Sequence, residues 1–126
     1  MAVPQDRKYA QTHEWFKPEG NTVTVGITQF AADELTDVTY VELPDVGSEV
    51  TAGEDFGEIE SVKATSGLFC AVSGKVIAVN ERLADEPELV NNDPFGEGWM
   101  IKIECSDQSA LKKLMDAASY EKMIAE

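Results

Sequence analysis

Residues 58–67 read EIESVKATSG, in which acidic and β-prone residues lead up to one lysine, Lys63, and small residues lead away from it. Strand-like residues run from Gly57 to Val62 and again from about Leu68 to Val72, so Val62-Lys63-Ala64 falls where the chain must reverse. A lysine at a hairpin tip projects its amine away from the protein on a flexible stem. A modifying enzyme needs that geometry, because it must enclose the amine without unfolding its substrate. On spacing alone, the plainer reading of a solvated charge on a turn stands ahead of it.

Outward from this hairpin, most of the chain keeps the two-residue rhythm of strands. In TVTVGIT, Val23, Val25 and Ile27 share one face, and Thr22, Thr24 and Thr28 share the other. TYVEL (39–43) and WMIKIE (99–104) alternate similarly, as half-buried strands with one wet face. KVIAV (75–79) is nearly continuous in apolar residues and predicts a strand buried on both faces. Turn chemistry separates them, in KPEGN (17–21), PDVGSEV (44–50), TAGED (51–55), VSGK (72–75) and NNDPFGEGW (91–99). Short strands with frequent glycine-bearing turns predict a mostly β sandwich or barrel.

Two helical pieces interrupt the strands. TQFAADEL (28–35) predicts a short helix capped by Thr28, with Phe30, Ala31 and Leu35 inward. Behind a Ser106/Asp107 cap, Leu111, Leu114, Met115 and Ala118 follow helical spacing, which predicts a C-terminal helix over about 107–124 that covers an edge or end of the sheets. Residues 1–126 form one domain on this reading, with a core over about 9–104. A domain of this length buries roughly 65% of the surface of its unfolded chain, enough for a core without staples.

Composition narrows the function classes. The formal net charge is −14, which argues against nucleic acid and anionic membrane surfaces, since both need a basic footprint. Such a chain repels its own copies, so a monomer is expected, steered toward basic partner surfaces. Cys70 and Cys105 have no metal or redox spacing and read as buried thiols, although one disulfide stays open. With a single histidine, His13, there is little from which to build a zinc site. No nucleophile–base constellation stands out either, so an enzyme in its own right is disfavoured. The N-terminus lacks an apolar h-region and an Arg/Ser-rich amphipathic run, and the chain reads as cytoplasmic, or mitochondrial only as a processed form.

The residues around Lys63 shift the balance toward a modified amine. GEIESVKA (57–64) followed by VSGKV (72–76) resembles the lipoyl-attachment hairpin of lipoyl-carrying domains. HEW (13–15), VGIT (25–28), VELPDVG (41–47), ESVKA (60–64), VSGKV (72–76), PELVN (87–91) and DPFGEGWMIKI (93–103) come in the order seen in the glycine cleavage system H protein family. The resemblance runs from about Tyr9 to Ile103, and seven ordered motifs make it specific. It implies a lipoyl-domain-like sandwich of two antiparallel sheets, a barrel-sandwich hybrid, flanked by helices.

The same resemblance implies a non-catalytic carrier. Lipoic acid would be held in amide linkage on Lys63 as N6-lipoyllysine, with Glu60, Ser61, Val62 and Ala64 framing the attachment turn. The implied partners are a pyridoxal-phosphate glycine decarboxylase, a folate-dependent aminomethyltransferase, a flavin-dependent dihydrolipoyl dehydrogenase and lipoylating enzymes. A carried ammonium calls for a resting place that limits water, and Glu14 of HEW is the candidate to pair with it; the plainer expectation is a solvated carboxylate at the start of a strand. Trp15 and Trp99 read as packing aromatics, His13 as structural or partner-facing, and Glu58 and Glu60 as strand-surface charges. Four positions depart from the family pattern: Gly67 where an acid is common, Ala71 for proline, Cys70 for a small alanine and Thr36 for glycine.

Three other carriers share parts of this pattern. Biotin attachment generally reads Met-Lys-Met, unlike Val62-Lys63-Ala64, and lipoyl domains of 2-oxoacid dehydrogenase complexes lack the HEW segment and the C-terminal helix. An H-like protein acting in lipoate relay would keep the fold but serve other proteins instead of glycine breakdown. Because steering between opposite charges is screened by salt, partner docking is expected to weaken as ionic strength rises, and transfer rates that do not change with salt would contradict it.

Overall fold

The structure is a computed structural model that describes residues 3–125. Among the described residues, alternation in the sequence becomes nine strands: β1 Lys8–Tyr9, β2 Glu14–Glu19, β3 Thr22–Ile27, β4 Val38–Glu42, β5 Glu49–Val50, β6 Asp55–Ser61, β7 Thr65–Phe69, β8 Gly74–Val79 and β9 Ile101–Glu104. They form a six-stranded sheet in the order β1-β2-β3-β9-β8-β5 and a three-stranded sheet in the order β4-β6-β7. Every pairing is antiparallel, as expected from the turn-rich pattern.

The apolar faces of the two sheets meet in one core. Phe16, Val23, Val25, Ile101 and Ile103 from the larger sheet join Val41, Ile59 and Leu68 from the smaller. Burying a side chain such as Ile59 or Leu68 contributes about 1.5–3 kcal/mol, so these two residues pin the lysine-bearing hairpin to the rest of the molecule. A second cluster gathers Tyr9 and Trp15 of the larger sheet with Val3, Ala117 and Tyr120 under the C-terminal segment.

The short helix α1, Gln29–Leu35, forms where the sequence predicts it. Thr28 Oγ1 accepts the Ala31 N–H as its N-cap. Its fully buried residue is Ala32; Ala31 and Leu35 lie half-buried against the core, and Phe30 stacks near His13. Two further one-turn helices, α2 Arg82–Asp85 and α3 Leu89–Asn92, were not foreseen, because four residues carry no readable period. Asn91 of α3 accepts the Val38 N–H at 2.9 Å and donates to the Thr36 carbonyl at 2.6 Å, tying the end of α1 to the start of β4.

Four expectations need correction. The strand after the lysine turn is Thr65–Phe69, beginning directly at the turn instead of near Leu68, because Glu60 pairs with Thr65 and Ile59 with Ser66. KVIAV is not buried on both faces: the register shifts between Val76 and Ala78, and Ile77 is left 40% exposed. The threonine face of β3 is not wet, since Thr24 and Thr28 are buried.

The last correction is to the single C-terminal helix over about 107–124. A 3₁₀ turn, Ser109–Lys113, is followed by extended Leu114 and only then by α4, Ala117–Ala125. The break has a plain cause. Tyr9 and Met115 exchange both backbone hydrogen bonds, at 2.9 and 3.0 Å, so Met115 extends the larger sheet and cannot also be helical. Asp116 Oδ1 then accepts the Ser119 N–H and starts α4.

At Gly57 the hairpin and β4 approach closely. A Cβ built there would lie 2.1 Å from the Glu42 carbonyl oxygen, which belongs to backbone and cannot swing aside. Gly57→Ala is therefore expected to lower the urea midpoint, by the equivalent of roughly 1–3 kcal/mol. Gly67→Ala, whose Cβ meets only the Phe69 ring at 3.5 Å, is the control and is expected to change little. Equal midpoints for both variants would mean that β4 yields freely.

Candidate functional site

Lys63 sits in the turn between β6 and β7, with Val62 and Ala64 exposed beside it. The Ser61 hydroxyl organises this turn. Its oxygen accepts the N–H groups of Lys63 (3.2 Å) and Ala64 (3.0 Å), while its proton reaches the Ala64 carbonyl at 3.1 Å. The Ser61 N–H also donates to the Ala64 carbonyl, and the Val62 N–H donates to the Asp37 carbonyl. Backbone that would otherwise be loose is thus satisfied without any bond to the lysine side chain itself. The Lys63 amine lies 3.4 Å from the Glu34 carbonyl, near the C-terminal end of α1, where helix carbonyls favour a cation. Glu58 and Glu60 are exposed on the strand leading to the turn.

Beneath this reach of the lysine lies a cavity of about 150 Å³ between α1 and the two sheets. Its walls are mostly apolar, with Ile27, Leu35, Ile59 and Leu68 among them, and Glu34 of α1 at its edge. Glu14 supplies the buried carboxylate. It opens β2 on the same face as Phe16, so strand alternation turns it inward at the rim of the core.

Glu14 is 2% exposed, which corrects the expectation of a solvated group. One carboxylate oxygen accepts the Phe69 N–H at 3.3 Å and the other accepts the Thr12 hydroxyl. No ion pair reaches it among the described residues. Burial pushes its pKa up to about 7, against the smaller opposing effect of the Thr12 and Phe69 hydrogen bonds.

His13 precedes Glu14 with φ of +76°, a conformation that histidine tolerates better than most residues. Its N–H donates to the Ala10 carbonyl and its own carbonyl accepts the Thr28 N–H, which fixes the turn into β2. Its ring lines the cavity and bonds through Nδ1 to the Tyr120 hydroxyl at 2.7 Å. Trp15 is packed in the second cluster, donating to the Pro94 carbonyl, and Trp99 lies just before the interior strand β9, under the Lys102 amine. Cys70 and Cys105 are free and buried, and burial pushes the Cys70 thiol to about 11, so it rests protonated. At Gly67 a Cβ would make only ordinary contact, so space does not forbid the acid that this position lacks.

Thr12, Thr28 and Tyr120 belong to the site and were missed as site residues in the sequence. Only Thr12 carried a local signal, being two residues from Glu14; Tyr120 comes from the far end of the chain.

Residues 7–126 match the family model for the glycine cleavage H-protein. The chain belongs to that family. A glycine cleavage system H protein from Staphylococcus saprophyticus is 53% identical over 126 residues, covering the whole of both chains. A probable glycine cleavage system H protein from Haloarcula marismortui is 55% identical over 122 residues, which is 97% of this chain and 96% of that one. The crystal structure of a glycine cleavage system H protein from Mycobacterium marinum superposes with a TM-score of 0.89 at 36% identity, covering 98% of this chain and 100% of that one. The two-sheet arrangement is therefore the fold of the family. No helix among the described residues is long and apolar enough to cross a membrane.

The raised pKa of Glu14 has a defined consequence for stability. Its folded value of about 7 lies above the ordinary 4.5, so the fold disfavours the charged form. The resulting penalty is absent below about pH 4.5, grows as pH rises, and is complete above about pH 7, on the order of 3 kcal/mol. Glu14→Gln should thus gain stability relative to the wild type between pH 5 and pH 8, measured by urea unfolding. A difference that is the same at both values would mean that Glu14 titrates normally.

Proposed function

We propose that this chain is the lipoyl-carrying shuttle of the glycine cleavage system, a non-catalytic carrier in which lipoic acid is held in amide linkage on Lys63 as N6-lipoyllysine. One observation carries the assignment: an exposed amine, on a turn organised without it, lies beside a small apolar cavity whose buried carboxylate meets no cation among the described residues. The family supports the system, and the ordered turn frame of Glu60, Ser61, Val62 and Ala64 supports the attachment point. When bound, the lipoyl group supplies a disulfide that takes up the methylamine group of glycine and is later restored from the dithiol.

The chain's own residues do the holding. Glu14, with its charge disfavoured by burial, gains most when an ammonium enters, since the ion pair offsets the desolvation of both partners. Ile59 and Leu68 keep water from the carried group, and Phe69 and Thr12 hold the carboxylate oriented. A charge-assisted hydrogen bond of this kind contributes about 1.5–3 kcal/mol, enough to keep an arm docked most of the time and free to leave. The partners that would load, unload and reoxidise the arm are a pyridoxal-phosphate glycine decarboxylase, a folate-dependent aminomethyltransferase and a flavin-dependent dihydrolipoyl dehydrogenase. Lipoylating enzymes would act first, on the exposed turn.

Incubation with lipoate, ATP and a lipoate ligase is expected to add one lipoyl group, mapped by peptide mass to Lys63 and absent in Lys63→Arg. Addition at another lysine, or none, would overturn the attachment assignment. In the methylamine-loaded chain without transferase, Glu14→Ala is expected to release ammonia roughly 10-fold faster or more. Equal rates would remove Glu14 from the mechanism.

A further inference from the structure

The strongest unexplained feature of the cleft is a chain of hydroxyl groups that reaches it from the C-terminus. Tyr120 on α4 is fully buried, stacked on Tyr9 with ring centroids 4.8 Å apart. Its hydroxyl lies 2.6 Å from Thr28 Oγ1 and 2.7 Å from His13 Nδ1. Thr28 caps α1, and His13 sits in the turn that feeds Glu14 into β2. A single phenol oxygen therefore joins α4 to both walls of the cavity.

Proton counting gives these bonds a direction. Thr28 is fully buried and its oxygen already accepts the Ala31 N–H. Its own hydroxyl proton needs an acceptor, and among the described residues the partner within reach is the Tyr120 oxygen. Tyr120, having accepted from Thr28, must send its one proton to His13 Nδ1. The reverse order would leave the Thr28 proton buried without a partner, which is costly. Nδ1 of His13 is then an acceptor, the ring is neutral, and its proton is on Nε2. Burial of the imidazole favours the same neutral state, opposed only by the exposed Glu34 on α1.

We infer that Tyr120 is a positioning residue of the arm cleft: its hydroxyl, accepting from Thr28 and donating to His13, fixes the imidazole as the neutral Nε2–H tautomer and braces the Glu14 turn against the cap of α1. The tautomer has a use if the cleft receives an ammonium. A ring that accepts at Nδ1 cannot take up a second proton there without breaking the Tyr120 bond, so the wall beside Glu14 stays free of a competing positive charge. The effect on arm retention rests on the carrier assignment above; the tautomer does not.

His13 is the chain's one histidine, so its imidazole nitrogens can be read without assignment by ¹⁵N NMR of histidine-labelled protein. The expected wild-type spectrum shows one neutral tautomer with the proton on Nε2. Tyr120→Phe keeps the ring stack and removes only the hydroxyl, and is expected to give a mixture of tautomers. Thr28→Ser keeps the hydroxyl donor and is expected to keep the Nε2–H tautomer. In methylamine-loaded protein, Tyr120→Phe is expected to release ammonia roughly 3- to 10-fold faster than wild type. A wild-type ring protonated on Nδ1, or a tautomer that Tyr120→Phe leaves intact, would overturn the proposal. So would unchanged ammonia release in Tyr120→Phe once the tautomer has shifted. If wild type takes no methylamine load at all, the carrier assignment fails, and the tautomer comparison still decides the Tyr120–His13 link.

Discussion

The pairing of Glu14 with Ile27 at the rim of the larger sheet places a carboxylate where burial opposes its charge, and the surrounding structure is fitted to that constraint. The strand that carries Glu14 cannot turn it outward without turning Phe16 out of the core as well. Its two hydrogen bonds come from different elements, Thr12 before β2 and Phe69 at the end of β7. The carboxylate thus joins the large sheet to the far end of the hairpin that presents Lys63. A group held in this way is a poor contributor to stability and a good receptor for a cation, because the same desolvation that raises its pKa strengthens any pair that it forms.

The lysine has the opposite environment. Ser61 satisfies the turn backbone, Gly57 lets β6 lie close against β4, and Ile59 and Leu68 anchor the hairpin from below. The side chain itself is left in solvent. A rigid base with a free amine suits a substrate of a modifying enzyme, since a frame made of backbone hydrogen bonds survives modification of the side chain. Rigidity also determines where the stem can reach, and here the amine reaches the Glu34 carbonyl on α1, the helix that walls the cavity. The Asn91 bonds to Val38 and Thr36 hold that helix against the start of β4, so the wall and the hairpin belong to one connected frame.

Several features were legible in the sequence because their causes are short-range. The β6–β7 turn follows from a strand pattern that ends in Ser61-Val62-Lys63-Ala64, and α1 follows from Thr28 capping an apolar-spaced segment. The alternation of Val23, Val25 and Ile27 needs only the pleat of a strand. The seven family motifs added the order of these pieces and the identity of the family, while Gly67 shows that a departure from the pattern need not be sterically imposed.

Tertiary structure decided what depends on residues far apart in the chain. Whether Glu14 is solvated or buried depends on Phe69, 55 residues away, and on the core around both. The break in the C-terminal segment comes from Tyr9 pairing with Met115, a contact that overrides the helical spacing of Leu111, Leu114 and Met115. Ile77 faces solvent because a bulge shifts its register against β9, and no local pattern encodes that shift. The Tyr120–His13 contact spans 107 residues. Sequence alone determined the longer strands, the Lys63 turn and the Thr28 cap, since propensity and alternation act within a few residues. Only the packing of the two sheets and the return of the C-terminus determined which polar groups lost their water, because desolvation is a property of everything around a group and not of its neighbours in the chain.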